Sequence, residues 1–307
     1  MKTLGILKSG IFVTALAVAS VGCSRDHIEA INLANSGDRS LKTNVEGAIH
    51  KYEEATRLDP SNHRILWKLA RAYQKKEDWS NMSSTLARAV QAAPDNADYY
   101  YRRGFALSKI AADGNPDAYE EAKEPLKKCI EKDPNHAECY HELGEAFMWT
   151  GDDQLAIENF TKAIEHEPSV AYFYPRLAEL YIALQFYEQA GQVLKEGTNL
   201  VARIEDNANS LYGMYTLLSN VHQAKNEEAA RVTALEKAQE VGGKTHPEIA
   251  YNLGSTYAKM TPPKKEKALR LLKSFDKRNC GAKQKKNAEK YRDQCVTAKA
   301  LLQKLSQ

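Results

Sequence analysis

At 307 residues, with 43% hydrophobic and 27% charged side chains, the chain is too apolar for a disordered polymer and has room for one or two globular domains or a single elongated repeat array. Its 16 Tyr outnumber the 7 Phe and 3 Trp together, which suits shallow, half-exposed packing. The formal charge of +3 says little, but its distribution is uneven: residues 262–307 hold 14 Lys/Arg against 4 Asp/Glu, about +10, which leaves about −7 for everything before them.

In chain order the first feature is a short export-type segment. Lys2 and Lys8 precede an apolar run from Ile11 to Ala19, which is too short to span a bilayer as a helix. It ends in Ser20-Val21-Gly22-Cys23, which resembles the lipobox of bacterial lipoproteins, with Ser20 where that family usually has Leu. Ala17-Val18-Ala19 also fits the small-x-small site of the ordinary signal peptidase, so two cleavage points stay open. The 5 cysteines favour the first, because acylating Cys23 leaves an even set of Cys129, Cys139, Cys280 and Cys295. The resemblance implies a signal peptide over 1–22, a lipidated linker over 23–26, and an anchor in the outer membrane facing the periplasm. Ser24 after the acylated cysteine, rather than Asp, points to the same membrane.

The body repeats. Pro60, Pro94, Pro134 and Pro168 stand 34, 40 and 34 residues apart, and a small–apolar–small triplet precedes each. The triplets are Ala48/Tyr52/Ala55, the weaker Met82/Leu86/Ala89, Ala122/Leu126/Cys129 and Ala156/Phe160/Ala163. First helices carry a large-small pair followed by an aromatic residue, as in Leu69-Ala70 with Tyr73, Leu143-Gly144 with Phe147, and Leu177-Ala178 with Tyr181. Residues three and four apart share a helix face, so small positions let a neighbouring helix come close, and each proline stops the second helix. A hairpin of this kind cannot bury its apolar face alone, and stacking buries it. The pattern resembles the tetratricopeptide repeat (TPR) family, strongest over residues 63–197. The resemblance implies an all-α superhelical solenoid of about seven helix-turn-helix repeats over 27–279, closed by one capping helix within 280–307. The first repeat contains a polar insert, Ser36 to Asn44, and the third has extra residues around Ala111 to Pro116. In the sixth, Arg231 stands where a small residue belongs. Pro175 falls in a first helical turn and is tolerated, whereas Pro125 is expected to delay or kink its helix.

Catalytic motifs are imitated and fail on context. Gly243-Lys244-Thr245 lacks the earlier glycine of a phosphate loop, since Ala238 occupies that place, and His136-Ala137-Glu138 lacks the partner cysteine motif of the zinc deaminases. Cys129, His136, Cys139 and His141 are ligand types that zinc accepts, but they fall on an ordinary inter-repeat turn. The chain is therefore expected to be no enzyme and to use no cofactor, no metal and no nucleic acid.

By the family resemblance, first helices line the concave face. At helical spacing that face reads Trp67, Arg71, Tyr101, Phe105, His141, Glu145, Met148, Trp149, Tyr172, Glu179, Ile182 and Tyr251, richer in aromatics than a solvated face. Aromatic residues with Arg anchor protein interfaces, so a partner groove is expected there, and some of these residues belong to inter-repeat packing if the register slips by one. The Lys/Asn carboxylate clamp of eukaryotic chaperone-binding TPR proteins is missing from it. Further along, Lys264, Lys265, Arg270, Lys277, Lys285 and Lys286 mark a basic end that is either a solvated cap or an electrostatic docking surface. Cys129 and Cys139 flank Pro134 closely enough for a disulfide. One continuous helix from Lys283 to Leu305 would instead hold Cys280 and Cys295 about 20 Å apart. Signal, cysteine and repeats together form a layout similar to the TPR lipoproteins of type IV pilus secretin assembly and of gliding machinery. The expected function is a scaffold for other envelope proteins or peptides, tied to the membrane through Cys23. A soluble periplasmic adaptor or a cell-wall polysaccharide binder are the alternatives.

Overall fold

The computed structural model describes residues 19–281 and 284–307, with side chains from residue 25 onward. The apolar run up to Val18, the side chain of Cys23, and Lys283 lie outside the described residues. Two compact units divide the chain after Pro134. The first holds α1 (Ala19–Ser40), α2 (Val45–Leu58), α3 (His63–Lys76), α4 (Trp79–Ala92), α5 (Ala97–Ala112) and α6 (Ala118–Lys132). The second holds α7 (Ala137–Trp149), α8 (Asp153–His166), α9 (Phe173–Ala183), α10 (Tyr187–Leu200), α11 (Ala208–Ala224), α12 (Glu228–Gly242), α13 (Glu248–Lys259), α14 (Lys265–Asn279), α15 (Lys285–Lys290) and α16 (Arg292–Ser306). Among the described residues there is no strand, and no helix is long and apolar enough to cross a membrane.

The helices pair in sequence, α1 with α2 through α13 with α14, which gives the seven expected hairpins, and within each unit successive hairpins pack on one another. The punctuation is chemical. Asn62 and Asn96 each sit two residues after a proline, and their side chains accept from the N–H of Ile65 and Tyr99, so the turn that ends one repeat caps the next. Inside the hairpins the first helix closes with a left-handed residue. Glu77, Gly151, Gln185 and Asn226 all have positive φ, and the N–H just beyond each reaches back to Tyr73, Phe147, Tyr181 and His222. The small–large complementarity read from the sequence is the core itself. A Cβ on Gly144 would lie 2.7 Å from the Phe160 ring, and one on Gly104 would lie 2.4 Å from Leu126. Tyr73 donates to Glu53 at 2.6 Å and Tyr257 donates to Glu236, so the aromatic of a first helix ties back to the second helix of the hairpin before it.

Three expectations change. The insert at Ser36 to Asn44 is mostly helix, because α1 continues to Ser40: Gly37 lies under the Tyr52 ring, and Tyr52 donates to Asp38 at 2.7 Å. Pro125 does not delay its helix. It sits inside α6, seven residues past the start, where the lost N–H leaves Glu121 without its usual helical donor. The single capping helix is two, α15 and α16, broken at Tyr291. The Tyr291 ring packs 5.8 Å from Phe275 and its hydroxyl donates to Glu248 at 3.1 Å. That break folds the chain back so that Cys280 and Cys295 are bonded, with Cα atoms 5.5 Å apart instead of a helix length.

Candidate functional site

The two units present different versions of the first-helix face. In the first, α3 and α5 bring Trp67 and Tyr99 to a 5.5 Å ring separation, and Arg102 lies over the rings of both Trp67 and Tyr101. Tyr101 is buried and Phe105 is half-buried against Trp79. Tyr101 is therefore a packing residue, and Phe105 is partly engaged in packing. Arg71 remains exposed on α3, while Trp67 is half-buried against the core of this unit.

In the second unit α7 and α9 are neighbours, and their facing residues form one connected cluster. His141, Glu145 and Trp149 follow at four-residue spacing on α7, while Arg176 and Glu179 follow Tyr172 on α9. His141 is only 6% exposed, with the rings of Phe160, Tyr172 and Phe173 centred 5.1–5.4 Å away. Its Nδ1 has no hydrogen-bond partner among the described residues. Burial, aided by the nearby Arg176 charge, holds this imidazole down to about 3, so it is neutral at ordinary pH. Glu145 lies one turn above. Arg176 Nε donates to it at 2.6 Å, the Trp149 indole N–H donates at 3.3 Å, and burial pushes its carboxyl above the ordinary range against the pull of Arg176. Arg176 also reaches Glu179 at 3.0 Å. Around this pinned pair Trp149 is 58% and Tyr172 47% exposed.

The expected groove residues thus divide. His141, Glu145, Trp149, Tyr172 and Glu179 come together, whereas Met148 and Ile182 are half-buried beside them. Tyr251 is half-buried with its ring 5.4 Å from Phe275 of its own hairpin, on the packing side. Arg176 was missed by the sequence reading, although its place four residues after Tyr172 and three before Glu179 put it on the same face. Cys129, in the last turn of α6, and Cys139, in the first turn of α7, are both fully buried. Every described Lys and Arg of the basic end is exposed.

A largely buried His141 and Glu145, paired with Arg176, thus lie beneath two solvent-facing rings. The ion pair fixes the Trp149 edge, so little side-chain freedom is left to lose when a ligand covers the ring.

Family models described as TPR repeat and tetratricopeptide repeat match residues 44–77 and 137–169. Similar solved structures include the C-terminal part of a TPR repeat-containing protein from Cytophaga hutchinsonii, at 16% identity and TM-score 0.62, covering 82% of this chain and 98% of that one. Pseudomonas aeruginosa PilF aligns at 18% identity and TM-score 0.52, over 71% of this chain and 93% of that one. MamA from Desulfovibrio magneticus RS-1 aligns at 20% identity and TM-score 0.50, over 56% of this chain and 94% of its own. At these identities the likeness shows the fold: the two matched segments are TPR repeats and the architecture is that of a TPR solenoid.

Proposed function

We propose that this TPR-repeat chain is a protein-interaction scaffold of the bacterial envelope that grips a partner polypeptide on the α7/α9 face. It is held at the outer membrane through an acylated Cys23 and serves a pilus, secretin or motility assembly. The observation that carries the docking site is the pair of half-exposed rings, Trp149 and Tyr172, beside the Glu145–Arg176 ion pair, in which Glu145 is largely buried and Arg176 reaches solvent. Trp, Tyr and Arg are the residue types that dominate interface energetics, and here all three converge. The envelope placement is supported by the Gly22-Cys23 junction after a short apolar run, and the machine class by the signal–cysteine–repeat layout.

The test is site-directed photo-crosslinking in cells from position 149 and, as a control, from exposed Arg88 on α4. A single partner captured from 149 and not from 88 supports the reading. Equal, diffuse capture from both positions would remove the docking face, and capture of glycan strands instead of protein would replace the scaffold with a polysaccharide binder. Fractionation of Cys23→Ala checks the anchor separately: release from membranes supports it, and wild-type membrane association contradicts it.

A further inference from the structure

The chain ends in a second surface that the docking face does not use. Of the 14 Lys/Arg in 262–307, Lys283 is outside the described residues, and the other thirteen are exposed. The ion pair seen there joins Lys267 to Glu236 at 3.6 Å. These charges sit on a fixed mount. The Cys280–Cys295 bond closes the 15-residue separation between α14 and α16, Tyr291 is hydrogen-bonded to Glu248, and Asn287 donates to buried Asn279 at 3.3 Å.

We infer that this stapled α14–α16 element is a docking surface for an anionic phospholipid bilayer. Three observations favour lipid over a folded acidic partner. Ten of the thirteen exposed cations are Lys and three are Arg. An ammonium is a hydrated point charge that suits mobile headgroup phosphates, whereas protein interfaces are enriched in Arg and depleted of Lys. The charges run along helix faces, as with Arg270, Lys273 and Lys277 on α14, and continue through Lys285 and Lys286 on α15, without the clustering of an interface core. On α16, Val296 is 67% exposed, four residues after Arg292 and three before Lys299, so an apolar side chain stands among cations where it can enter the headgroup layer.

The inference stands apart from the scaffold reading and is tested on the full chain by vesicle co-sedimentation. Vesicles of phosphatidylglycerol with phosphatidylethanolamine are compared with phosphatidylcholine vesicles at about 0.05 M and about 0.5 M salt, where the screening length shortens severalfold. The N-terminal segment, which carries Lys2 and Lys8, contributes to both vesicle types, so the part of the ratio that the charge-reversed variant loses reports the basic surface. The expected ratio is about tenfold or more at low salt, since each lysine near an anionic surface adds roughly fivefold, and near one at high salt. Lys273→Glu, Lys277→Glu, Lys285→Glu and Lys286→Glu combined, all at exposed positions and checked for folding by circular dichroism, should abolish the preference. Equal binding to both vesicles, a preference that survives high salt, or one retained by the reversed variant overturns the proposal. So does capture on immobilised polyglutamate without any vesicle preference, which would assign the surface to an acidic polypeptide.

Discussion

Replacing His141 by Phe should remove a defined part of the pH dependence of stability. The ring is 6% exposed, its Nδ1 lacks a partner among the described residues, and burial holds its folded-state value at about 3. In the unfolded chain it titrates near about 6.5. A depressed histidine favours folding fully above the unfolded value and progressively less below it, because only the unfolded chain takes the proton. The window is therefore pH 6.5 down to about 3, with a slope of roughly 1.4 kcal/mol per pH unit. At about pH 5 the cost is 1.5 units of this slope, or about 2 kcal/mol, against almost nothing at about pH 7.5. Glu145, raised by burial, acts with the opposite sign as pH rises through its own folded value, but it is present in both proteins and cancels from the difference. Phe is the natural substitute among Phe160, Tyr172 and Phe173, and His141→Leu guards against overpacking by the larger ring. Urea unfolding followed by circular dichroism at the two pH values gives the double difference. Wild type should lose about 2 kcal/mol more than either variant between them. An identical pH dependence in all three proteins would show that His141 gains access to solvent, and the sealed floor beneath Trp149 would then be wrong.

Gly144→Val should destabilise the α7/α8 hairpin by about 1–3 kcal/mol, since its Cβ meets the Phe160 ring at 2.7 Å, and Phe160→Leu in the same chain should recover part of that loss in thermal melts. A neutral single variant would mean that the helices are farther apart than described. Cys280→Ser with Cys295→Ser opens the loop that the bond closes, at a cost of up to about 3 kcal/mol, and should speed tryptic cleavage at Lys285 and Lys286. Unchanged cleavage would show that Tyr291 and Asn287 hold the segment without the bond. Tyr101→Ala should lower the melting temperature, whereas Trp149→Ala should leave it alone and cost partner affinity by about 1–3 kcal/mol. The reverse pattern would restore Tyr101 to the groove.

What the sequence revealed and what it hid follow from how local each signal is. Proline spacing marks the repeats because Pro60 and Pro94 end one helix and the asparagine two residues later begins the next, so both ends of the turn are written within five residues. The small–large pairs were equally legible, since Gly144 and Phe160 need each other for steric reasons that survive any register. Burial was legible only to within one helical step. Three tyrosines in a row on α5 point in three successive directions and are alike in residue type, so Tyr101 reads as groove and packs as core. Glycine misled for a related reason: Ser36-Gly37-Asp38 has loop composition, yet Gly37 is there to admit Tyr52, a residue fifteen positions away. The same holds at the C-terminus. Nothing near Tyr291 is a helix breaker, and the interruption comes from Glu248 and Phe275, which are distant in the chain and capture its hydroxyl and ring. The docking cluster lies between these extremes. Its α7 members were readable one by one at four-residue spacing, but Arg176, which makes Glu145 tolerable in the interior and sets the Trp149 edge, acts only once α9 is laid beside α7. A buried carboxylate with no counter-ion on its own helix requires a cation from a neighbour, and Arg176 is the α9 residue whose spacing from Tyr172 and Glu179 could have supplied it.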